Sequence, residues 1–178
     1  PLKIDHTGQL MLVTGSNMAG KSTYLRSIGI NTVLAMAGAP VCAKYFCLSP
    51  VQIISSMRIA DNLEESTSTF YAELKKLKTV IDKVNNKEKV FILLDEILRG
   101  TNSLDRHTGS AALIKQLIKN NAAAILATPD VELAKMKDVY PSNILTSHFD
   151  VQACIYEQYL GSPLKGRICQ ILIDPIWI

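Results

Sequence analysis

Gly15-Ser16-Asn17-Met18-Ala19-Gly20-Lys21-Ser22 is the stretch that decides the fold, because it fits the phosphate-binding pattern G-x-x-x-x-G-K-[ST]. The apolar run at 9–13 predicts a strand before it, and 23–36 predicts a helix after it. Loop N–H groups and the positive end of the helix dipole then point at one place, where polyphosphate binds. We expect Lys21 to reach the β- and γ-phosphates and Ser22 to ligate Mg²⁺. The alternative is a Gly-rich turn that happens to precede a helix.

Composition is ordinary for one globular domain: 178 residues, 48% hydrophobic, 20% charged and a formal net charge of +3. That charge is too small to indicate nucleic-acid binding by this segment alone. No apolar run approaches a membrane span, and no secretory leader is visible. We expect one domain over 1–178, cut from a longer cytoplasmic protein with no membrane partner.

The cysteines and histidines show no metal-ligand pattern. The four cysteines contain no C-x-x-C pair, and the histidines have no zinc-site spacing with them. We expect small buried or half-buried hydrophobes in a reducing compartment. The cysteines are Cys42, Cys47, Cys154 and Cys169.

The rest of the chain alternates strand and helix patterns. Thr67 or Ser68 is expected to cap a helix that runs to about Val84 with one apolar stripe, formed by Phe70, Leu74, Leu77, Ile81 and Val84. Further helices are predicted over 105–119 and 131–139, and strands over 51–54, 90–94 and 122–127, with strand character at 41–48. This order predicts an α/β domain with a mainly parallel sheet. After 144, a strand-like run at 149–155 and two turns indicate an antiparallel end.

Asp95 and Glu96 directly follow the five apolar residues at 90–94. This places both carboxylates at the carboxyl edge of the sheet, where open α/β folds bind ligands. Asp95 is suited to hold Mg²⁺, through water, and Glu96 to act as general base toward the water that attacks the γ-phosphate. The alternative is that both acids are solvated strand caps.

Four segments together resemble one known family, the MutS family of DNA mismatch-repair proteins. They are T-G-S-N-M-A-G-K-S-T at 14–23, S-T-F at 68–70, L-L-D-E-I-L-R-G-T-N at 93–102 and A-T-P-D at 127–130. The resemblance is to the C-terminal ATPase domain, runs from about 9 to about 150, and is closer to the shorter MutS-related proteins. It implies a P-loop NTPase fold of the ABC type, with ATP and Mg²⁺ as cofactors and a homodimer formed through this domain.

The resemblance also implies roles for particular residues. Ser68 matches the signature segment that faces the partner's nucleotide, although it could only cap its helix. The segment 99–105 matches the dimer interface, although Arg99 could be an ordinary surface arginine. The expected nucleotide-binding set is Gly15, Ser16, Asn17, Met18, Ala19, Gly20, Lys21, Ser22, Thr23 and Ser68, with Ser22 and Asp95 on the metal and Lys21 and Glu96 catalytic.

Pro129 is the main departure from the family pattern, which has a γ-phosphate-sensing His there. Proline has no side-chain donor and no backbone N–H, so we expect ATP binding to survive and hydrolysis to be in question. Asp130 has the wrong charge to substitute, and His148 is distant in sequence. Gln52 is a weak match to the ABC-type coupling Gln. Glu64 and Glu65 precede the signature segment, where acids would repel a partner's triphosphate at close range; the alternative is that both face solvent.

Two functions therefore compete. The first is an ATPase domain whose ATP-driven dimerisation is coupled to binding of mismatched DNA by other domains of the full-length protein. The second is a nucleotide-gated binding module with little or no hydrolysis. A small-molecule kinase is disfavoured by Glu96 and R-G-T, and a transporter ATPase by the absence of L-S-G-G-Q.

Overall fold

The computed structural model describes residues 8–16, 18–57 and 66–150. Only the backbone is described for residues 66–69 and for the strands at 152–156, 168–172 and 175–176. The strands are β1 Leu10–Gly15, β2 Gln52–Ser56, β3 Val90–Asp95, β4 Ala123–Thr128, β5 Ile144–Phe149, β6 Gln152–Tyr156, β7 Ile168–Leu172 and β8 Pro175–Ile176. The helices are α1 Lys21–Met36, α2 Ser66–Asn85, α3 Ser103–Lys119 and α4 Met136–Val139, the last directly preceded by a 3₁₀ helix at Val131–Lys135.

The central sheet has the strand order β2-β3-β4-β1-β5-β8, and its first five strands are parallel. β1, β3 and β4 are buried almost throughout, which explains their continuous apolar sequences. The predicted α/β class and mainly parallel sheet are confirmed. Because all five strands run the same way, β1, β3 and β4 deliver their carboxyl ends to one edge.

Helices cover both faces of this sheet. Met11 and Val13 of β1 pack in one cluster with Leu25 of α1. Leu10 and Leu12, the alternate residues of the same strand, pack in a second cluster with residues of α2 and α3. This alternation follows from the period of two along a strand. α1 therefore lies on the face opposite α2 and α3.

Helix α2 differs from its prediction in two respects. It begins at Ser66, so neither Thr67 nor Ser68 precedes the first helical residue, and the capping prediction is wrong. Its buried stripe includes Val80, which the predicted stripe omitted, whereas Leu74 is 41% exposed. Val80 lies on the same face as Leu77 and Val84 because three and four residues span about one helical turn.

Three smaller predictions are wrong. The segment 41–48 contains no strand, and Cys42 and Cys47 are exposed instead of buried. Gln52 cannot couple to a nucleotide at the carboxyl edge, since it opens β2 at the opposite edge and its side chain accepts a hydrogen bond from Lys83. The other two cysteine side chains lie outside the described part of the chain.

The end of the chain is antiparallel, as predicted. β6 and β7 pair antiparallel in a separate two-stranded sheet, and β8 pairs antiparallel with β5. The run at 149–155, however, is not one strand. β5 ends at the buried Phe149, and the exposed Asp150 separates it from β6.

Candidate functional site

The phosphate-loop sequence connects β1 to α1, as the motif requires. Gly15 ends β1 with φ 135°, and a Cβ there would lie 2.1 Å from the Phe149 carbonyl oxygen of β5. Gly20 has φ 82° immediately before α1 and supplies no side-chain cap. Both glycines are thus required by backbone geometry. The first-turn N–H groups of α1 receive no cap from Gly20, which is the arrangement that anions bind.

Lys21 is the most buried charged residue of this edge, with 1% of its surface exposed. Its Nζ donates hydrogen bonds to the carbonyl oxygens of Gly15 at 2.8 Å and Ser16 at 2.7 Å. Burial lowers the pKa of Lys21, while the Asp95 carboxylate opposes this shift and the Arg99 guanidinium adds to it. The ammonium is therefore held inside the loop by backbone carbonyl groups.

Asp95 and Glu96 lie across β4 from this lysine. Asp95 ends β3 opposite Ala127, and the Glu96 N–H donates to the Ala127 carbonyl oxygen at 2.8 Å. The Glu96 side chain is 9% exposed, ion-pairs with Arg99 and places Oε1 3.9 Å from Lys21 Nζ. The two sequence motifs, 74 positions apart from Lys21 to Asp95 (95 − 21), therefore form one site.

The Asp95 carboxylate has the features of a cation ligand. It is 7% exposed, and its Oδ1 is buried and accepts no hydrogen bond from the described residues. A buried carboxylate oxygen without a donor is costly unless a cation compensates it. No group of three His, Cys, Asp or Glu side chains converges within the described residues, so a metal here would share its ligands with a substrate such as a phosphate.

The loop after β4 is attached to α3. Pro129 is exposed, and Asp130 caps the 3₁₀ helix by accepting from the Glu132 N–H at 3.0 Å. The other Asp130 oxygen lies 2.7 Å from His107 Nδ1 on α3. The position of the expected γ-phosphate sensor is thus followed by an acid that is already paired.

The chain's third histidine in order, His148, lies at the same edge on β5. Its register partner on β1 is Thr14, and Thr14 Oγ1 lies 2.9 Å from His148 Nδ1. The hydrogen bond links the strand that enters the phosphate loop to its neighbour. It engages the ring's Nδ1 with a strand side chain.

A match to a known family model identifies the family of this chain. The family model for MutS domain V matches residues 11–164. The chain belongs to the MutS family of DNA mismatch-repair proteins. The match contains the phosphate loop, both carboxylates and the loop after β4.

Individual MutS relatives agree with the family model. The chain is 34% identical over 143 residues to human "MutS protein homolog 4", covering 80% of this chain and 15% of that protein. It is 33% identical to "DNA mismatch repair protein MSH4" of Arabidopsis thaliana over 80% of this chain and 18% of the relative. It is also 33% identical to "DNA mismatch repair protein MutS" of Thermotoga petrophila over 78% of this chain and 17% of the relative. The chain thus spans under a fifth of these relatives, and the likeness to shorter MutS-related proteins stays a prediction.

The predicted MutS site residues divide into three groups. Lys21, Asp95 and Glu96 lie together, with Ala19 buried, Ser22 half-buried, and Met18 and Thr23 exposed at the same edge. Asn17 lies outside the described residues, and Ser68 is described only as backbone in the first turn of α2.

No helix in the described ranges has the length and apolarity needed to cross a membrane.

Two contacts of the MutS site were missed by the sequence reasoning. Arg99, predicted to lie at an interface or on the surface, is half-buried and also pairs with Glu96 three residues earlier. Glu73 of α2 accepts a hydrogen bond from the Leu98 N–H at 2.7 Å. The sequence shows the i,i+3 spacing of Glu96 and Arg99, but this spacing predicts an ion pair only within a helix, and residues 96–99 lie outside one. Nothing in the sequence pointed to Glu73.

Proposed function

We propose that this chain is a P-loop ATPase domain of the ABC type, which binds and hydrolyses Mg-ATP in a MutS protein. The observation that carries the proposal is the 3.9 Å approach of Lys21 Nζ to Glu96 Oε1 across the carboxyl edge of the sheet. This approach brings the lysine proposed to bind phosphate close to the acid proposed to orient water. Nucleotide-binding α/β folds use this edge.

The proposed roles follow from the position of each group. The loop N–H groups and Lys21 bind the phosphates, and the Gly15 and Ser16 carbonyls that hold Lys21 are exchanged for phosphate oxygens. Asp95 and Ser22 hold Mg²⁺, which would neutralise charge on the phosphates. Glu96 orients and deprotonates the attacking water.

Dimerisation of two such domains is part of the proposal. Ser68 is in the first turn of α2, and a helix N-terminus bearing a hydroxyl is a suitable partner for a γ-phosphate presented by a second copy. We propose a homodimer closed by ATP, with DNA binding located in other domains of the full-length protein. Closure would transmit the nucleotide state to that DNA-binding region.

Steady-state phosphate release by the chain, measured across protein concentration with Mg-ATP, tests the proposal. The matched variants are Lys21→Ala, which removes the phosphate cation, and Glu96→Gln, which keeps the shape and removes the base. We expect turnover that rises more than linearly with concentration and is lost in both variants. Glu96→Gln is expected to accumulate an ATP-bound dimer, and a monomeric Glu96→Gln protein at saturating Mg-ATP would contradict the role of Ser68 in trans.

A nucleotide-gated module without turnover is the second candidate, and the loop after β4 favours it. Pro129 offers no donor, and Asp130 next to it is bound to His107. In this case Mg-ATP binds and closes the dimer, but phosphate release stays at the level of Lys21→Ala. Pro129→His discriminates the two, since a gain of turnover means that the missing donor limits hydrolysis. Unchanged turnover in an otherwise active protein means that position 129 is not used here.

A further inference from the structure

We propose that Glu73 is a positioning residue for Glu96, because its hydrogen bond attaches the backbone segment that bears the Glu96 carboxylate to helix α2. The inference rests on the proposed ATP hydrolysis and adds a residue that its motifs do not contain. Glu73 Oε1 accepts a hydrogen bond from the Leu98 N–H at 2.7 Å, with a sequence separation of 25 residues. Leu98 lies between the two members of the Glu96–Arg99 ion pair.

The backbone held by Glu73 has an unusual conformation. Glu96 has φ 46° and Leu98 has φ 59°, and neither is glycine. Non-glycine residues in this left-handed region are strained and persist only where their surroundings hold them. The carboxylate of Glu73 provides such a constraint, since without it the half-buried Leu98 amide loses its acceptor.

A second contact from the same helix face supports this constraint. A Cβ on Gly100 would lie 2.8 Å from Phe70 Cδ2, so the Phe70 ring packs directly against the backbone at Gly100. Phe70 and Glu73 are three residues apart and therefore lie on one face of α2. The segment 96–100 is held at its centre by a hydrogen bond and at its end by a ring.

The location of this link gives it a specific consequence. Glu73 stands within two turns of the N-terminus of α2, the end that bears Ser68. Glu96, at the other end of the link, lies 3.9 Å from Lys21. A displacement of α2 therefore changes the position of Glu96 relative to the phosphate loop. For this reason we expect Glu73 to affect the rate of the catalytic step and not the affinity for nucleotide.

Three variants test the proposal by kcat and KM for Mg-ATP. Glu73→Ala removes the acceptor, Glu73→Gln keeps a carbonyl oxygen at the same reach, and Asp82→Ala removes an exposed carboxylate from the same helix as the matched control. We expect Glu73→Ala to lower kcat by about 10- to 100-fold, since misplacing a catalytic group by about 1 Å costs on that order. We expect its KM to change by less than about threefold, and Glu73→Gln and Asp82→Ala to stay within about threefold of the parent kcat.

Hydrogen exchange at the Leu98 amide provides the second measurement. We expect faster exchange in Glu73→Ala and parent-like exchange in Glu73→Gln, because only the former loses the acceptor. If Glu73→Ala does not fold, Glu73→Asp replaces it: the side chain is one methylene shorter, and a lower kcat with faster Leu98 exchange is again expected.

The outcomes separate this inference from the proposed function. A parent protein with turnover whose Glu73→Ala variant keeps the kcat of Asp82→Ala overturns the positioning role and leaves the ATPase proposal standing. An equal loss in Glu73→Gln and Glu73→Ala also overturns it, because the charge and not the hydrogen bond would then be responsible. A parent protein without turnover overturns the hydrolytic function and, with it, any catalytic role for Glu73.

Discussion

Replacing Gly15 by alanine tests the backbone geometry on which the phosphate loop depends. Two costs arise at this position. A φ of 135° is strained for any residue with a Cβ, and that Cβ would lie 2.1 Å from the Phe149 carbonyl oxygen. The obstacle is backbone of the adjacent strand, so no rotamer change relieves it. β1 must move away from β5, with which it forms six register pairs.

The magnitude follows from these two terms. Backbone strain costs about 1–3 kcal/mol, and forcing an extra methyl group into a packed site costs about 1–3 kcal/mol. We therefore expect Gly15→Ala to lower the free energy of unfolding by about 4 kcal/mol, which for a domain of this size lowers Tm by about 8–16 °C. Because Gly15 is the first residue of the phosphate-loop motif, weaker Mg-ATP binding is expected as well.

Gly38→Ala is the matched control. Gly38 also has positive φ, at 72°, but a Cβ there would have nothing within 4 Å. Only the left-handed strain of about 1–2 kcal/mol remains, and the lower entropy of the unfolded chain offsets about 0.4–1 kcal/mol of it. Differential scanning calorimetry of the two variants compares them directly. Equal Tm values for Gly15→Ala and Gly38→Ala would refute the close approach of β1 to Phe149 and the loop geometry built on it.

Three further predictions concern the same edge of the sheet. Thr14→Val removes the buried partner of His148 Nδ1, so thermal unfolding is expected to show a loss of about 1 kcal/mol while Mg-ATP affinity measured by titration calorimetry is unchanged. Asp130→Ala removes the cap of the 3₁₀ helix and the His107 pair, and urea unfolding is expected to show a loss of about 1–2 kcal/mol. Lys21→Met tests the lowered pKa of Lys21. Between that folded-state pKa and the unfolded value of 10.5, the unfolded chain binds more protons than the folded chain, so Lys21 makes the free energy of unfolding rise with pH. The urea midpoint across this pH window is therefore expected to rise less in Lys21→Met than in the parent, and parallel curves would contradict the lowered pKa.

The central part of this fold was predictable because its sequence signals are local. Continuous apolar runs such as the one at 90–94 indicated strands buried on both faces, and the loop motif fixed the order of β1 and α1. The run at 149–155 failed for the opposite reason. Its division at Asp150 depends on which sheet each half joins, and strand partners are not encoded within the strand itself.

The proximity of the motif residues was predictable to the same degree. Motif residues with fixed local geometry, namely Lys21, Asp95 and Glu96, lie together. Contacts between distant segments were not predictable, because no spacing rule relates Glu73 to Leu98 across 25 residues. Leu98 adopts its left-handed conformation because of tertiary contacts, which override the preference of an isolated leucine.

The Arg99–Glu96 pair gives the proposed reaction an ordering. A carboxylate engaged by a guanidinium is a weak base, since the ion pair stabilises its charged form, and Glu96 also faces the Lys21 ammonium. Phosphate oxygens that accept hydrogen bonds from Lys21 would compensate its charge and weaken its attraction for Glu96, but Arg99 remains. Arg99 begins the segment 99–105, which is predicted to lie at the interface of the proposed dimer. In the homodimer proposed above, an event at that segment, supplied by the second copy, would separate Arg99 from Glu96. We therefore expect Arg99→Ala to increase turnover at protein concentrations where the parent is monomeric. Phosphate release at low and high protein concentration measures this effect. A variant with lower turnover at both concentrations would instead assign Arg99 to holding Glu96 in its working position.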